Sequence, residues 1–247
     1  MTKYFTNNFP IINLYKNPST KSEIVTQMIY GESFSIFKKK KNWLNIKIKE
    51  DNYKGYIKYK KYSSFLKPTH KVSVLKADIF KYPNKKKINQ LTFNSKVKIV
   101  DNKNQFLRFK DGWISRNNLK PIKYVEKDLF KKISIFKNIV YKWGGKSFKG
   151  IDCSALVQIC LNFNNKFCPR DAKDQVKYFK KNINKKKLKK NDVIYWKGHV
   201  AVVVSKKKLI HAYGPYKKTV IMSISKTIEL IEKTANLKVK SCKRIKL

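Results

Sequence analysis

A chain of 247 residues with 59 Lys+Arg against 15 Asp+Glu, a formal net charge of +44, has room for two or three small domains. No stretch approaches the ~20 consecutive apolar residues of a membrane-spanning helix. Of the four cysteines, Cys153, Cys160 and Cys168 lack the short paired spacing of a zinc ribbon, so neither a metal site nor a cofactor is predicted.

The first half reads as β-rich. Between residues 24 and 60 run Ile24-Val25-Thr26-Gln27, Phe34-Ser35-Ile36-Phe37, Trp43-Leu44-Asn45-Ile46 and Tyr56-Ile57. Glycine or charge breaks them at Tyr30-Gly31-Glu32, 38–42 and 50–52. Short strands at this spacing predict a small barrel. The pattern then recurs: Leu14–Pro18 corresponds to Ile79–Pro83, Trp43–Ile46 to Phe106–Phe109, and Gly55-Tyr56-Ile57 to Gly112-Trp113-Ile114. A period of about 60 residues means duplicated domains rather than a solenoid. Breaks near Pro68 and Pro121 divide the chain into 1–66, 67–122 and 123–247.

The second half carries the chemistry. From Tyr141 it reads Tyr-Lys-Trp-Gly-Gly-Lys-Ser-Phe-Lys-Gly-Ile-Asp-Cys-Ser. Ala155, Leu156, Ile159, Cys160 and Phe163 then recur at helical spacing, so a helix entered through Gly144, Gly145 and Gly150 begins near Asp152–Cys153. A cysteine at a helix N-terminus meets the positive end of the dipole, which predicts an acidified thiol. Asp192–Trp196, His199–Ser205 and Leu209–Tyr213 read as tightly joined strands, placing His199 and His211 side by side. The chain has only three histidines, and these two fall where a thiol nucleophile needs a base and a group to orient it. Cys160 reads as core, and Cys168 and Cys242 have no evident role.

The pattern Tyr-x-Trp-Gly-Gly-x-Ser-x-x-Gly-x-Asp-Cys-Ser resembles the catalytic domain of the NlpC/P60 family, papain-like cysteine peptidases that cut bacterial cell-wall peptides, over about 125–247. The repeats before it resemble tandem bacterial SH3-like (SH3b) domains. The resemblance implies an α+β fold: a papain-like catalytic domain, helices packed on an antiparallel sheet, preceded by two small SH3-like β-barrels. It implies Cys153 as nucleophile, His199 as general base, His211 as the orienting third residue, and Tyr141 with its hydroxyl near the nucleophile. Asp152 and Ser154 match substrate-contacting positions, and in the branch taking peptides with a free N-terminal L-alanine the aspartate holds the α-ammonium. In the resembling γ-D-glutamyl-L-diamino acid endopeptidases, an acid after Tyr-Gly and a Tyr before Lys-Gly-Tyr help to bind that amino end. Glu32 and Tyr53 stand in matching contexts. The chain departs from the family at Ala155, where Gly is usual, and at Ala172, where a Ser often touches substrate.

The expected function is therefore hydrolysis of the γ-D-glutamyl–diamino acid bond of murein peptides bearing a free N-terminal L-alanine, in muropeptide recycling or wall turnover. One alternative is a basic SH3-like protein gripping RNA or wall polymer; another is a different acyl transfer on the same fold. The charge favours neither. Only Arg108, Arg116, Arg170 and Arg244 among the basic residues are arginines, the type best suited to bidentate phosphate recognition. The lysine runs 38–41, 85–87, 185–187 and 206–208 fall between predicted strands or before one, as hairpin tips and solvated faces. Abundant Lys, Asn, Ile, Phe and Tyr suggest an AT-biased genome, so no specific nucleic-acid site is predicted. The first ten residues show no secretory pattern, which leads to a cytoplasmic expectation with reduced cysteines.

Overall fold

The computed structural model describes residues 2–245. The chain parts into two compact units, one of Met1–Val125 with Lys146–Phe148, the other of Glu126–Gly145 with Lys149–Leu247.

In the first unit every predicted run from 24 to 60 falls in a strand. A seven-stranded sheet runs in the order Ile24–Ile29, Ile11–Tyr15, Lys54–Lys58, Trp43–Ile48, Ser33–Lys40, Tyr4–Thr6, Ser63–Ser64. Period-2 alternation sets its faces: Leu44, Ile46 and Ile48 point inward, while Trp43, Asn45 and Lys47 are partly exposed. They join Leu14, Met28, Phe34 and Ile57 in one core. Each such side chain contributes roughly 1.5–3 kcal/mol by leaving water. Residues 70–121 build a second core around Val72, Ile79, Leu91, Leu107 and Ile114. A five-stranded sheet surrounds it, in the order Lys85–Thr92, Lys76–Tyr82, Gly112–Ser115, Phe106–Phe109, Asp101–Lys103, with three short strands beside. Tyr30 packs into this second core, and its hydroxyl donates to Asp111 Oδ2 at 2.5 Å.

Two lysine runs extend strands instead of lying between them. Lys38–Lys40 end the strand Ser33–Lys40, and Lys85–Lys87 begin the strand Lys85–Thr92. Their backbones pair while their exposed stems lie along the surface, as where Lys39 Nζ sits 4.4 Å from the Tyr59 ring centre.

Lys146–Phe148 enter the first unit from far along the chain. The Lys146 ammonium donates to Glu32 Oε1 at 2.7 Å and Oε2 at 2.9 Å. The Lys146 amide donates to Gln27 Oε1 at 2.9 Å, and the Phe148 amide to Thr92 Oγ1 at 3.1 Å. Glu32 Oε2 also accepts from the Ile29 amide at 2.9 Å. Nearby, Lys96 Nζ donates to Glu50 Oε1 at 2.9 Å. Burial works against the Lys96 ammonium, but Glu50 and Glu32 more than offset it and raise its pKa. Gly31 cannot be replaced here: its φ is +82°, and a Cβ would lie 2.0 Å from the Lys96 carbonyl oxygen.

The second unit is one antiparallel sheet with helices against it. The strand order is Lys218–Ser223, Lys208–Tyr213, His199–Val203, Asp192–Trp196, Ser241–Arg244. Helix α1 (Cys153–Phe163) lies on the two central strands. Apart from the intermediate Asn162 it is buried all round, since the turn Ile133–Phe136 and helix α2 (Ala172–Tyr178) contact its other sides. Helix α3 (Ile224–Ala235) covers the other face through Thr227 and Ile231. It stops at Asn236, whose left-handed φ of 53° ends the helix. No helix among the described residues is long and apolar enough to cross a membrane.

Candidate active site

The approach to α1 is a folded loop. The Lys142 amide donates to the Ile151 carbonyl and the Ile151 amide to that of Val140, laying Tyr141 alongside Ile151. Gly150 has φ +145°, and a Cβ there would meet Lys142 Cβ at 2.6 Å, so only glycine permits this approach. Asp152 then caps the helix: its Oδ1 accepts from the Ala155 amide at 2.8 Å. Its Oδ2 accepts from the Gly144 amide at 3.0 Å.

Arg170, noted in the sequence only as one of four arginines, closes on the same carboxylate. Its Nη1 donates to Asp152 Oδ1 at 3.0 Å and its Nη2 to Oδ2 at 2.6 Å. Nη1 also donates to Ser154 Oγ at 2.9 Å, and that hydroxyl donates to Asp152 Oδ1 at 3.2 Å. Gln175 holds the Pro169–Arg170 segment by donating to the carbonyls of Ser154 and Pro169, each at 2.9 Å.

Cys153 is buried at the first position of α1. Its sulfur receives the backbone N–H groups of Val200 and Ser154. The helix terminus predicts an acidic thiol, but burial dominates and, with the adjacent Asp152 carboxylate, pushes it up to about 12. The two amides and Arg170 pull the other way.

The two histidines meet across neighbouring strands. One ring nitrogen of each, His199 Nε2 and His211 Nδ1, lie 2.8 Å apart. His211 is fully buried, stacked on Tyr213 at 4.7 Å between centroids. Its Nε2 faces the Met222 sulfur at 3.4 Å. A thioether can only accept, so the proton of neutral His211 belongs on Nε2 and Nδ1 is the acceptor. His199 Nε2 must then donate, which leaves His199 Nδ1 with the free lone pair of a base. Burial lowers His199 to about 4, and burial with the proximity of His199 lowers His211 to about 3. At neutral pH thiol and imidazole are therefore both uncharged.

Two expectations follow. The acid limb of kcat/KM should lie below the ordinary histidine range near 6.5. The imidazole must be neutral to take a proton and stays so as pH falls through 6.5; a rate profile between pH 4 and 9 checks this, with circular dichroism to confirm folding at the acid end. His211→Gln should lower kcat about 10- to 100-fold with little change in KM, since it removes orientation and not the base.

The remaining predicted residues are placed as follows. Tyr141 feels both Cys153 and Asp152, and burial with these two charges pushes its hydroxyl up. Ser154 is bound to Asp152 and Arg170. Tyr53 packs half-buried against the first core of its unit. Glu32 is only 2% exposed and already holds the Lys146 ammonium. Any ammonium reaching Glu32 or Asp152 would meet a carboxylate that already carries an internal cation.

Residues 138–234 match the model of the NlpC/P60 family. This is an NlpC/P60 domain. Residues 14–61 match the bacterial dipeptidyl-peptidase Sh3 domain. The chain is 26% identical over 230 residues to dipeptidyl-peptidase 6 of Lysinibacillus sphaericus, covering 81% of this chain and 84% of that one. It is 25% identical over 236 residues to the γ-D-glutamyl-L-lysine dipeptidyl-peptidase of Bacillus subtilis (strain 168), covering 85% and 79%. A solved NlpC/P60 family protein from Bacillus cereus ATCC 10987 shares the fold, with TM-score 0.83 and 18% identity over 98% of this chain and 99% of that one. The NlpC/P60 domain makes the protein a cysteine peptidase of α+β fold.

Proposed function

We propose that the protein hydrolyses the γ-D-glutamyl–diamino acid bond of cell-wall peptides, acting in the cytoplasm on muropeptides bearing an N-terminal L-alanine. The observation that carries this is the paired histidine relay, 2.8 Å between rings, in a domain with a cysteine at the N-terminus of its buried helix. The relatives named for γ-D-glutamyl-L-lysine and dipeptidyl-peptidase activity support the bond and substrate class. In this reading residues 1–66 and 67–122 are two SH3-like barrels. Asp152 takes the peptide's α-ammonium, Ser154 contacts the substrate beside it, and Tyr141 brings its hydroxyl near the nucleophile.

The chemistry follows from the neutral pair. As Sγ of Cys153 attacks the scissile carbonyl, its proton passes to His199 Nδ1, and the Cys153 N–H holds the oxyanion. The imidazolium gives that proton to the leaving amine as the C–N bond breaks. Water then loses a proton to His199 while its oxygen bonds to the thioester carbon, and the thiolate leaves and is reprotonated.

Mass spectrometry of L-Ala-γ-D-Glu-diamino acid peptides, free and N-acetylated, tests the reading. Cleavage at the γ-glutamyl bond by wild type and not by Cys153→Ala supports it. Sparing of the acetylated copy supports recognition of a free amine, and cleavage of both removes that part. No cleavage of either sinks the bond assignment.

A further inference from the structure

The carboxylate beside the nucleophile presents a problem. Asp152 is the residue before Cys153, and a negative charge so close opposes formation of a thiolate. Yet the same carboxylate is the cap of α1 and the acceptor for Gly144, so the local fold depends on it. Arg170 lies over both of its oxygens in a bidentate pair, with the guanidinium 1% exposed. We propose that Arg170 is a positioning residue for catalysis: it cancels the field of Asp152 at the Cys153 sulfur, so that one carboxylate can cap the nucleophile's helix without opposing the nucleophile's ionisation.

Other charges do not do this work. The strand Asp192–Trp196 brings Tyr195 near the sulfur, and the approach loop brings Tyr141; burial raises both phenols, so both are neutral at working pH. Burial likewise keeps His199 and His211 neutral. Among the groups acting on the thiol, Asp152 raises its pKa and Arg170 lowers it. A guanidinium suits the task because its planar fork covers both carboxylate oxygens while a third bond fixes Ser154.

The test is alkylation of Cys153 by iodoacetamide in the full-length protein, followed by peptide mass spectrometry across pH. The other three cysteines are buried and are quantified separately. Arg170→Gln leaves Asp152 with the Gly144 and Ala155 amides and the Ser154 hydroxyl. Its uncompensated charge should move the pH midpoint of alkylation upward, slowing the reaction at fixed pH about tenfold for each unit moved. Asp152→Asn should move the midpoint downward. The double variant should return it to within about threefold of wild type, and Arg170→Lys, which keeps the charge, should stay near wild type. Opposite shifts from the two halves of one pair cannot come from loosened packing, which would move both variants the same way. Midpoints moving in the same direction, a double variant as displaced as Arg170→Gln, or no displacement in any of them would overturn the proposal. Thermal melts of each variant confirm that the folded protein is being read.

Discussion

Replacing Cys153 with alanine should remove peptide hydrolysis by about 10⁴-fold or more, while the protein melts close to wild type. The asymmetry comes from the site. Cys153 is the one thiol at the N-terminus of α1, and its sulfur receives the Val200 and Ser154 amides. The side chain itself is small, and alanine is the better helix former, so helix and cap survive. Cys153→Ser should be nearly as inactive, because an alcohol is a far weaker nucleophile than a thiol. Steady-state rates with a γ-D-glutamyl peptide, together with a melting curve, check both halves; equal rates for wild type and Cys153→Ala would leave the cysteine mechanism without support.

The largest loss of stability is expected from Lys146→Met. Lys146 is 1% exposed and Glu32 2%, and each is the other's counter-ion. Removing the cation strands a buried carboxylate, at a cost of about 3–5 kcal/mol. The double variant Glu32→Gln with Lys146→Met should recover most of this, since a neutral amide and a thioether need no charge partner. The pH dependence has a definite sign. Burial raises the Glu32 pKa, and without Lys146 that effect is unopposed by its main partner. An acid whose folded pKa is raised destabilises the fold as pH climbs above its unfolded value of about 4.3. The Lys146→Met deficit should therefore shrink as the solution is acidified toward pH 4.5. Urea denaturation at pH 7.5 and 5 measures it, and a deficit independent of pH would mean that packing, not charge, is lost.

Much of this site can be read from the chain because its parts are local. The apolar spacing after Asp152 and the glycines before it specify a helix and its entry, and α1 begins at Cys153 with Asp152 as cap. The strand Asp192–Trp196 has the expected limits, and those carrying His199 and His211 differ from expectation by no more than two residues at an end. Tight turns then force the histidines onto adjacent strands. What could not be read is what depends on distant partners. Arg170 reaches Asp152 across 18 positions, and Lys146 reaches Glu32 across 114. No periodicity marks either pairing. A lysine directly after Trp-Gly-Gly looks like a solvated charge, and an acid after Tyr-Gly like a ligand for a peptide ammonium, until the fold buries them together. The thiol's acidity is lost for the same reason: the helix terminus is a local feature, but desolvation depends on everything packed around it.

The passage of Lys146–Phe148 into the first unit also bears on heredity. Proteins assembled from separate modules commonly exchange them by recombination at a single joint. Here a crossover near residue 125 with an unrelated module would deliver an N-terminal half not matched to the Lys146 ammonium, which Glu32 accepts here, nor to the amides that Gln27 and Thr92 accept here. The mismatch would fall a few residues before the nucleophile. The two halves of this gene should therefore be inherited together, with change at Glu32 or Gln27 accompanied by change at Lys146.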